Sequence, residues 1–144
     1  MSDEPLFEYD ASVIGVEEEV GTITVDAETL KRYLDVMGET NPRYTEQGFV
    51  PPSYLQRMRF GGAGPDAKVR FGNTGFHAGS RLELLEPIRV GQTLTCWAQA
   101  KEVYAKTGRS GTMVFSVKRM TYRDESGKEV AHSDQMTVHR QVGE

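Results

Sequence analysis

The sequence has little that would staple, anchor or electrostatically commit it. It holds one cysteine, Cys96, in 144 residues. No internal disulfide can form from a single thiol, and no cysteine-based zinc site can be built. No apolar run approaches the ~18 residues of a membrane span. Met1 to Asp10 contains neither a basic stretch nor an apolar one, so no secretory leader is expected and a reducing cytoplasm is the expected home. The formal net charge is −4. Without a basic stripe, nucleic acid is a poor partner for such a chain. A phosphate-binding loop, a Gly-x-Gly-x-x-Gly turn, a His-Glu-x-x-His pair and a Gly-x-Ser-x-Gly elbow are all missing.

What is present fits one soluble domain. Hydrophobic residues make up 38% and charged residues 26%, the profile of a globular chain. Charge is unevenly spread. Residues 1–46 carry twelve acids and three bases, and the remainder nine acids and fourteen bases. Residues 1–14 are expected to form a loose acidic arm. The basic remainder is either solvated charge or a surface for an anionic ligand.

Helical periodicity begins after Asp26, a good N-cap. Leu30, Tyr33, Leu34 and Met37 make one apolar stripe, and Gly38 and Pro42 end it. Residues 38–80 are irregular, with a short helix expected at Ser53 to Met58. From Arg81 the pattern turns to period two. Leu82 and Leu84 lead to a turn at Val90–Gln92. Leu94, Cys96, Ala98 and Ala100 then share one face of a long strand. Loops at 106–111 and 125–128 separate two more strands, marked by Met113, Phe115, Val117 and by Val130, Met136, Val138. Strands joined by tight turns form an antiparallel meander, and one helix before it gives an α+β domain.

The chemically loaded stretch is Tyr33 to Tyr44. A carboxylate (Glu39), an amide (Asn41) and a phenol (Tyr44) follow the helix end. They either converge on a pocket or serve as a helix stop and an Asx-Pro turn. His132 and His139, seven residues apart on one strand, face opposite sides. Cys96 is expected to be buried and inert, and Trp97 to pack a core or an interface.

Gly38-Glu39-Thr40-Asn41-Pro42-Arg43-Tyr44 resembles the Gly-Asp-x-Asn-Pro-x-His signature of the MaoC-like (R)-specific enoyl-CoA hydratases. Val50 to Leu55, Phe76 to Gly79 and Glu86 to Leu94 resemble segments of the FAS1-like dehydratase branch of that group. The likeness spans about residues 15–140. It implies a single hot dog domain, residues 1–144, with an antiparallel sheet packed on a helix. It also implies hydration of an enoyl thioester, or the reverse dehydration, by an Asp/His pair. Here that pair stands as Glu39 and Tyr44, and a phenol with pKa ≈ 10 is a poor base. The resemblance therefore implies a degenerate, substrate-binding subunit of a heterodimer or heterotetramer. A second hot dog subunit with the intact motif would supply the catalytic pair. The alternatives are a self-sufficient homo-oligomeric hydratase using Glu39 with Tyr44 or His77, and a hot dog thioesterase or acyl-CoA binding module.

By the same resemblance Asn41, Pro51, Pro52, Tyr54, His77 and Gly79 line the substrate, while the basic group Arg57, Arg59, Lys68 and Arg70 is either ordinary solvated charge or, in Arg57, Arg59 and Arg70, a contact for coenzyme A phosphates. No metal or resident cofactor is implied, since coenzyme A arrives with the acyl group. Gly61, Gly62, Gly64 and Pro65 interrupt the place of the family's long central helix. The expectation is a short or missing central helix that leaves room for a bulky acyl group; the plainer reading is a surface loop.

Overall fold

Asp26 and Gly38 bracket the first helix of the computed structural model, which describes residues 7–60 and 64–143. The Asp26 carboxylate accepts from the Thr29 N–H at 2.8 Å and from its hydroxyl at 2.7 Å. These bonds, the hydroxyl first, hold its pKa below the usual carboxyl value. Gly38 closes the helix in the left-handed region at φ 69°, where an L side chain is strained. The helix between them, α1 (Ala27–Met37), buries Leu30 and Leu34. Met37, its last residue, is 62% exposed and lies off the buried stripe.

The strands are β1 (Glu18–Thr24), β2 (Thr74–Leu84), β3 (Thr93–Gly108), β4 (Gly111–Arg123) and β5 (Glu129–Arg140). A second helix, α2, is one short turn at Pro42–Thr45, and 3-10 turns occupy Ala11–Val13 and Pro52–Arg57. All five strands join one sheet in the order β1-β3-β4-β5-β2, every pair antiparallel. The expected meander is β3-β4-β5. The strand before it does not join β3, however. It crosses to the far edge and pairs with β5. It also starts at Thr74, ahead of the Leu82/Leu84 alternation, because its first half is largely exposed and gives no period-two signal.

The sheet has a core face and an outer face. Leu94, Cys96, Met120, Tyr122 and Ala131 join Leu30 and Leu34 of α1 and Tyr54, Leu55 and Met58 of the 3-10 turn in the core. Tyr122 is fully buried. Its hydroxyl donates to the Met58 carbonyl at 2.6 Å, and burial drives its pKa far above the usual phenol value. Burial likewise pushes the Cys96 thiol up to about 12, which keeps it un-ionised and inert.

From Met58 the chain runs across the core face without forming a helix in its described residues. A Cβ on Gly64 would lie 2.5 Å from that of Ala98, so the crossing requires both residues to be small. Ala67 is buried. Gly61 and Gly62 lie outside the described residues. The long central helix is thus missing among the described residues, but its space is not left open. The crossing segment fills it, flanked by cavities of about 30 and 50 Å³. The arm is docked rather than loose from residue 8 onward. Glu8 and Arg70 exchange backbone bonds at 3.2 and 2.7 Å, Asp10 N–H reaches the Ala67 carbonyl at 2.7 Å, and Gly15 N–H reaches Ala100 at 2.9 Å. Residues 1–6 of the arm lie outside the described residues. No described helix is long and apolar enough to cross a membrane.

Tyr122→Phe removes the only side-chain donor found on the Met58 carbonyl among the described residues. Leaving that buried acceptor short should cost about 1–3 kcal/mol, read as a lower urea midpoint. An unchanged midpoint would show that the bond holds nothing.

Candidate functional site

The loop after α1 turns its polar side chains back on its own backbone. The Glu39 carboxylate accepts from the Asn41 N–H at 3.0 Å. The Asn41 side chain accepts from the Arg43 N–H at 3.0 Å, capping α2 with Pro42 at its first position. These are the local bonds of a helix stop and an Asx turn. Tyr44 is half-buried and faces elsewhere. It lines a cavity of about 410 Å³ with Leu30, Leu34, Asp35, Gln47 and Val90. Glu39 is not on that wall, and no hydrogen bond joins it to Tyr44 among the described residues. The two positions that resemble a catalytic pair are therefore parted.

The other expected substrate residues are dispersed. Pro51 and Tyr54 are buried, while Pro52 is exposed. Tyr54 meets the Tyr33 ring edge-on at 5.0 Å, and its hydroxyl pKa is raised, chiefly by burial. Arg57 lies 5.9 Å over the Tyr33 ring. Arg59 borders the small cavity beside Phe60 and Met120. Arg70 is tied through its backbone to Glu8, and Lys68 is exposed with its N–H on Asp66 at 2.9 Å. These cations have separate neighbours and share no acceptor among the described residues.

A β-bulge separates His77 from Gly79. Register shifts between them, so His77 pairs with Thr137 and Gly79 with Met136. That places His77 on the core face and Gly79 on the outer face. His77 Nε2 lies 2.8 Å from Gln135 Oε1 and 3.2 Å from Ser80 Oγ. Ser80 Oγ also donates to Gln135 Oε1 at 2.9 Å. Both partners meet the same ring nitrogen. A nucleophile–base–orienter relay needs one partner on each, so Ser80 is not set up as a nucleophile.

Further along the same face, Ser116 Oγ lies 3.2 Å from His139 Nε2, and burial depresses the His139 pKa. Half of the core face is therefore a polar strip. Sequence reasoning missed Ser80 and Gln135. Ser80 continues the Leu84/Leu82 alternation, which was a usable signal. Gln135 reaches the cluster only through strand register.

The outer face carries the charges. Arg119 grips Asp134 with two bonds of 2.8 and 3.0 Å. His132 meets Glu83 at 3.2 Å and Glu129 at 3.5 Å, opposite in facing to His139 as expected. Arg123 covers the Trp97 ring at 5.2 Å. Among the described residues no group of three or more His, Cys, Asp or Glu side chains is placed to hold a metal.

Residues 12–133 match the family described as the FAS1-like, dehydratase domain region. No curated protein matches the chain in sequence. Among solved structures it is similar to a chain of the C-terminally truncated HadBC (3R-hydroxyacyl-ACP dehydratase) complex of Mycobacterium tuberculosis. The TM-score is 0.65 at 12% identity, over 89% of this chain and 98% of that one. It is also similar to a chain of the ChsH1-ChsH2 complex of the same organism, with TM-score 0.65 at 14% identity, over 90% and 92%. A MaoC-like dehydratase of Phytophthora capsici gives 0.69 at 20% identity, over 92% of this chain but 50% of that one. The chain thus spans nearly all of some neighbours and half of others. At these identities the likeness establishes the fold, a hot dog.

Because burial depresses the His139 pKa below its unfolded value, the unfolded chain takes up that proton first. Stability from keeping His139 neutral is present above pH 6.5 and is lost as pH falls below it. The urea midpoint should drop more between about pH 7 and pH 5 in the wild type than in His139→Gln. Equal drops would assign the effect elsewhere.

Proposed function

Because the chain belongs to the FAS1-like dehydratase domain family, matched over residues 12–133, we propose that it is the substrate-binding subunit of an enoyl-thioester hydratase or 3-hydroxyacyl dehydratase. A second hot dog subunit supplies the Asp/His pair. One observation carries this reading. The residues at the two catalytic positions do not cooperate: Glu39 is bonded to the Asn41 N–H at 3.0 Å, and Tyr44 lines a separate cavity. Adding water across a double bond needs a base within hydrogen-bond reach of that water, and a phenol with no hydrogen bond to the Glu39 carboxylate among the described residues does not provide one.

Support for a partner comes from β2. It pairs with β5 on one side only and forms an edge of the sheet. Six of its eleven residues are exposed, with Phe76 at 50%. A long open edge of backbone donors and acceptors is a template for another strand. Two of the similar structures are, by their descriptions, complexes. The acyl group arrives as a thioester of coenzyme A or of an acyl carrier protein, with no metal required. A long or bulky acyl chain does not fit beneath the crossing segment, where the cavities are about 30 and 50 Å³. The cavity of about 410 Å³ floored by Leu30, Leu34 and Val90 is the better host.

Co-expression with hot dog chains that carry Gly-Asp-x-Asn-Pro-x-His tests the reading. Crotonyl-CoA hydration is expected from a co-purifying complex and not from this chain alone. It should be lost on changing the partner's Asp or His and retained in Glu39→Gln of this chain. Full activity of the isolated chain, abolished by Glu39→Gln, would overturn the proposal.

A further inference from the structure

Two β-bulges fall on one row of the sheet. In β2 the register shifts between His77 and Gly79, and in β3 between Ala100 and Glu102. Gly79 pairs with Met136, Met136 with Val117, and Val117 with Glu102. The irregularities are therefore level with each other across four strands. A bulge bends its strand and re-aims the extra side chain, and bulges gather beside functional sites. Here they flank a cavity of about 230 Å³ on the outer face, lined by Gly79, Arg81, Lys101, Glu102, Asp134 and Met136 among others. A Cβ on Gly79 would meet nothing within 4 Å, so the space above that residue is open.

The charges in this cavity are unevenly satisfied. Asp134 is 6% exposed, and both of its oxygens are held by Arg119. Lys101 Nζ approaches the same carboxylate only to 3.7 Å, with its side chain 32% exposed. It has no acceptor within hydrogen-bond distance among the described residues, and the carboxylate it approaches, Asp134, is already held by Arg119. Arg81, on β2, lines the same cavity and is 71% exposed, with a long 3.4 Å contact to Glu83. Glu102 lines the same cavity and has no ion-pair partner among the described residues.

We propose that this cavity binds a phosphate monoester carried on a hydroxylated body, a nucleotide. The phosphate sits between the Lys101 ammonium and the Arg81 guanidinium, which suit its oxygens as a point charge and as a planar fork. The bare backbone at Gly79 lets the ligand approach closely. Glu102 excludes a small free anion and accepts from a hydroxyl or amino group of the body. Identifying that nucleotide with the one in coenzyme A rests on the function proposed above; the nucleotide site itself does not.

Calorimetric titration of the 144-residue chain with adenosine monophosphate tests the site. Binding is expected to saturate, and to weaken by at least about ten-fold in Lys101→Met and in Gly79→Leu, with circular dichroism unchanged in Lys101→Met. Glu102→Gln should narrow the preference for adenosine monophosphate over inorganic phosphate. Lys101→Met binding as tightly as the wild type would overturn the proposal. So would inorganic phosphate or pantetheine phosphate binding as tightly as the nucleotide. The readout is binding by this chain, so an inactive complex leaves the site standing, and a failed titration leaves the hydratase reading standing.

Discussion

The hydrogen bond from the Tyr122 hydroxyl to the Met58 carbonyl, 2.6 Å long, fixes where the chain leaves its 3-10 turn. Tyr54, Leu55 and Met58 are buried on one side of that point, and the crossing of the core face begins on the other. A helix laid over the sheet would need clearance for side chains. An extended crossing needs small residues instead, and the sequence supplies them. Gly21 lies under the Phe60 ring, where an added Cβ would be 2.7 Å from the nearest ring carbon. Gly64 lies against Ala98. The crossing in turn gives Glu8 and Asp10 their docking edge, while Gly15 docks on Ala100 of β3. It also divides the core face. The half nearest α1 is apolar and closed, while the half toward β2 carries His77, Ser80, Gln135 and His139.

What the sequence could reveal followed the range of the interactions. Asp26, Gly38 and the Leu30/Leu34 spacing act within a few residues, and α1 is where they place it. The hairpins β3-β4 and β4-β5 are also local and stand as expected, with strands longer than the alternation suggested. The position of β2 beside β5 depends on pairing over 47 to 66 residues of separation, and nothing near Thr74 encodes it. The same division runs through the candidate site. Glu39 and Asn41 bond within their own loop, as the Asx-Pro reading allowed. The meeting of His77 with Gln135 required a register.

The bulges did leave a faint trace. On the core face of β3 the small residues run Leu94, Cys96, Ala98, Ala100, and the next residue on that face is Val103, opposite Ser116. On β2 the face runs Leu84, Leu82, Ser80 and then His77. Each strand takes one step of three where steps of two are the rule. A step of three within a strand period is what an extra residue produces. Two such steps level with each other separate Gly79 from His77 and turn Glu102 outward beside Lys101. Without them Gly79 would share a face with His77, and the outer cavity would have no glycine in its lining.

The proposed partner and the proposed ligand both bear on β2. Its open edge invites a strand, its core-face side carries the His77–Ser80–Gln135 cluster, and its outer side carries the Gly79 cavity. A partner strand added at that edge would bring foreign side chains beside both faces at once. Such an arrangement makes sense of a chain whose own motif has turned inward. Glu39, one methylene longer than aspartate, folds onto the Asn41 N–H and stabilises a loop, while Tyr44 forms part of the wall of a cavity with both apolar and polar lining. On the proposed reading these positions are relieved of proton transfer and serve shape and stability. The residues that remain open to solvent and to a second chain are then those of β2.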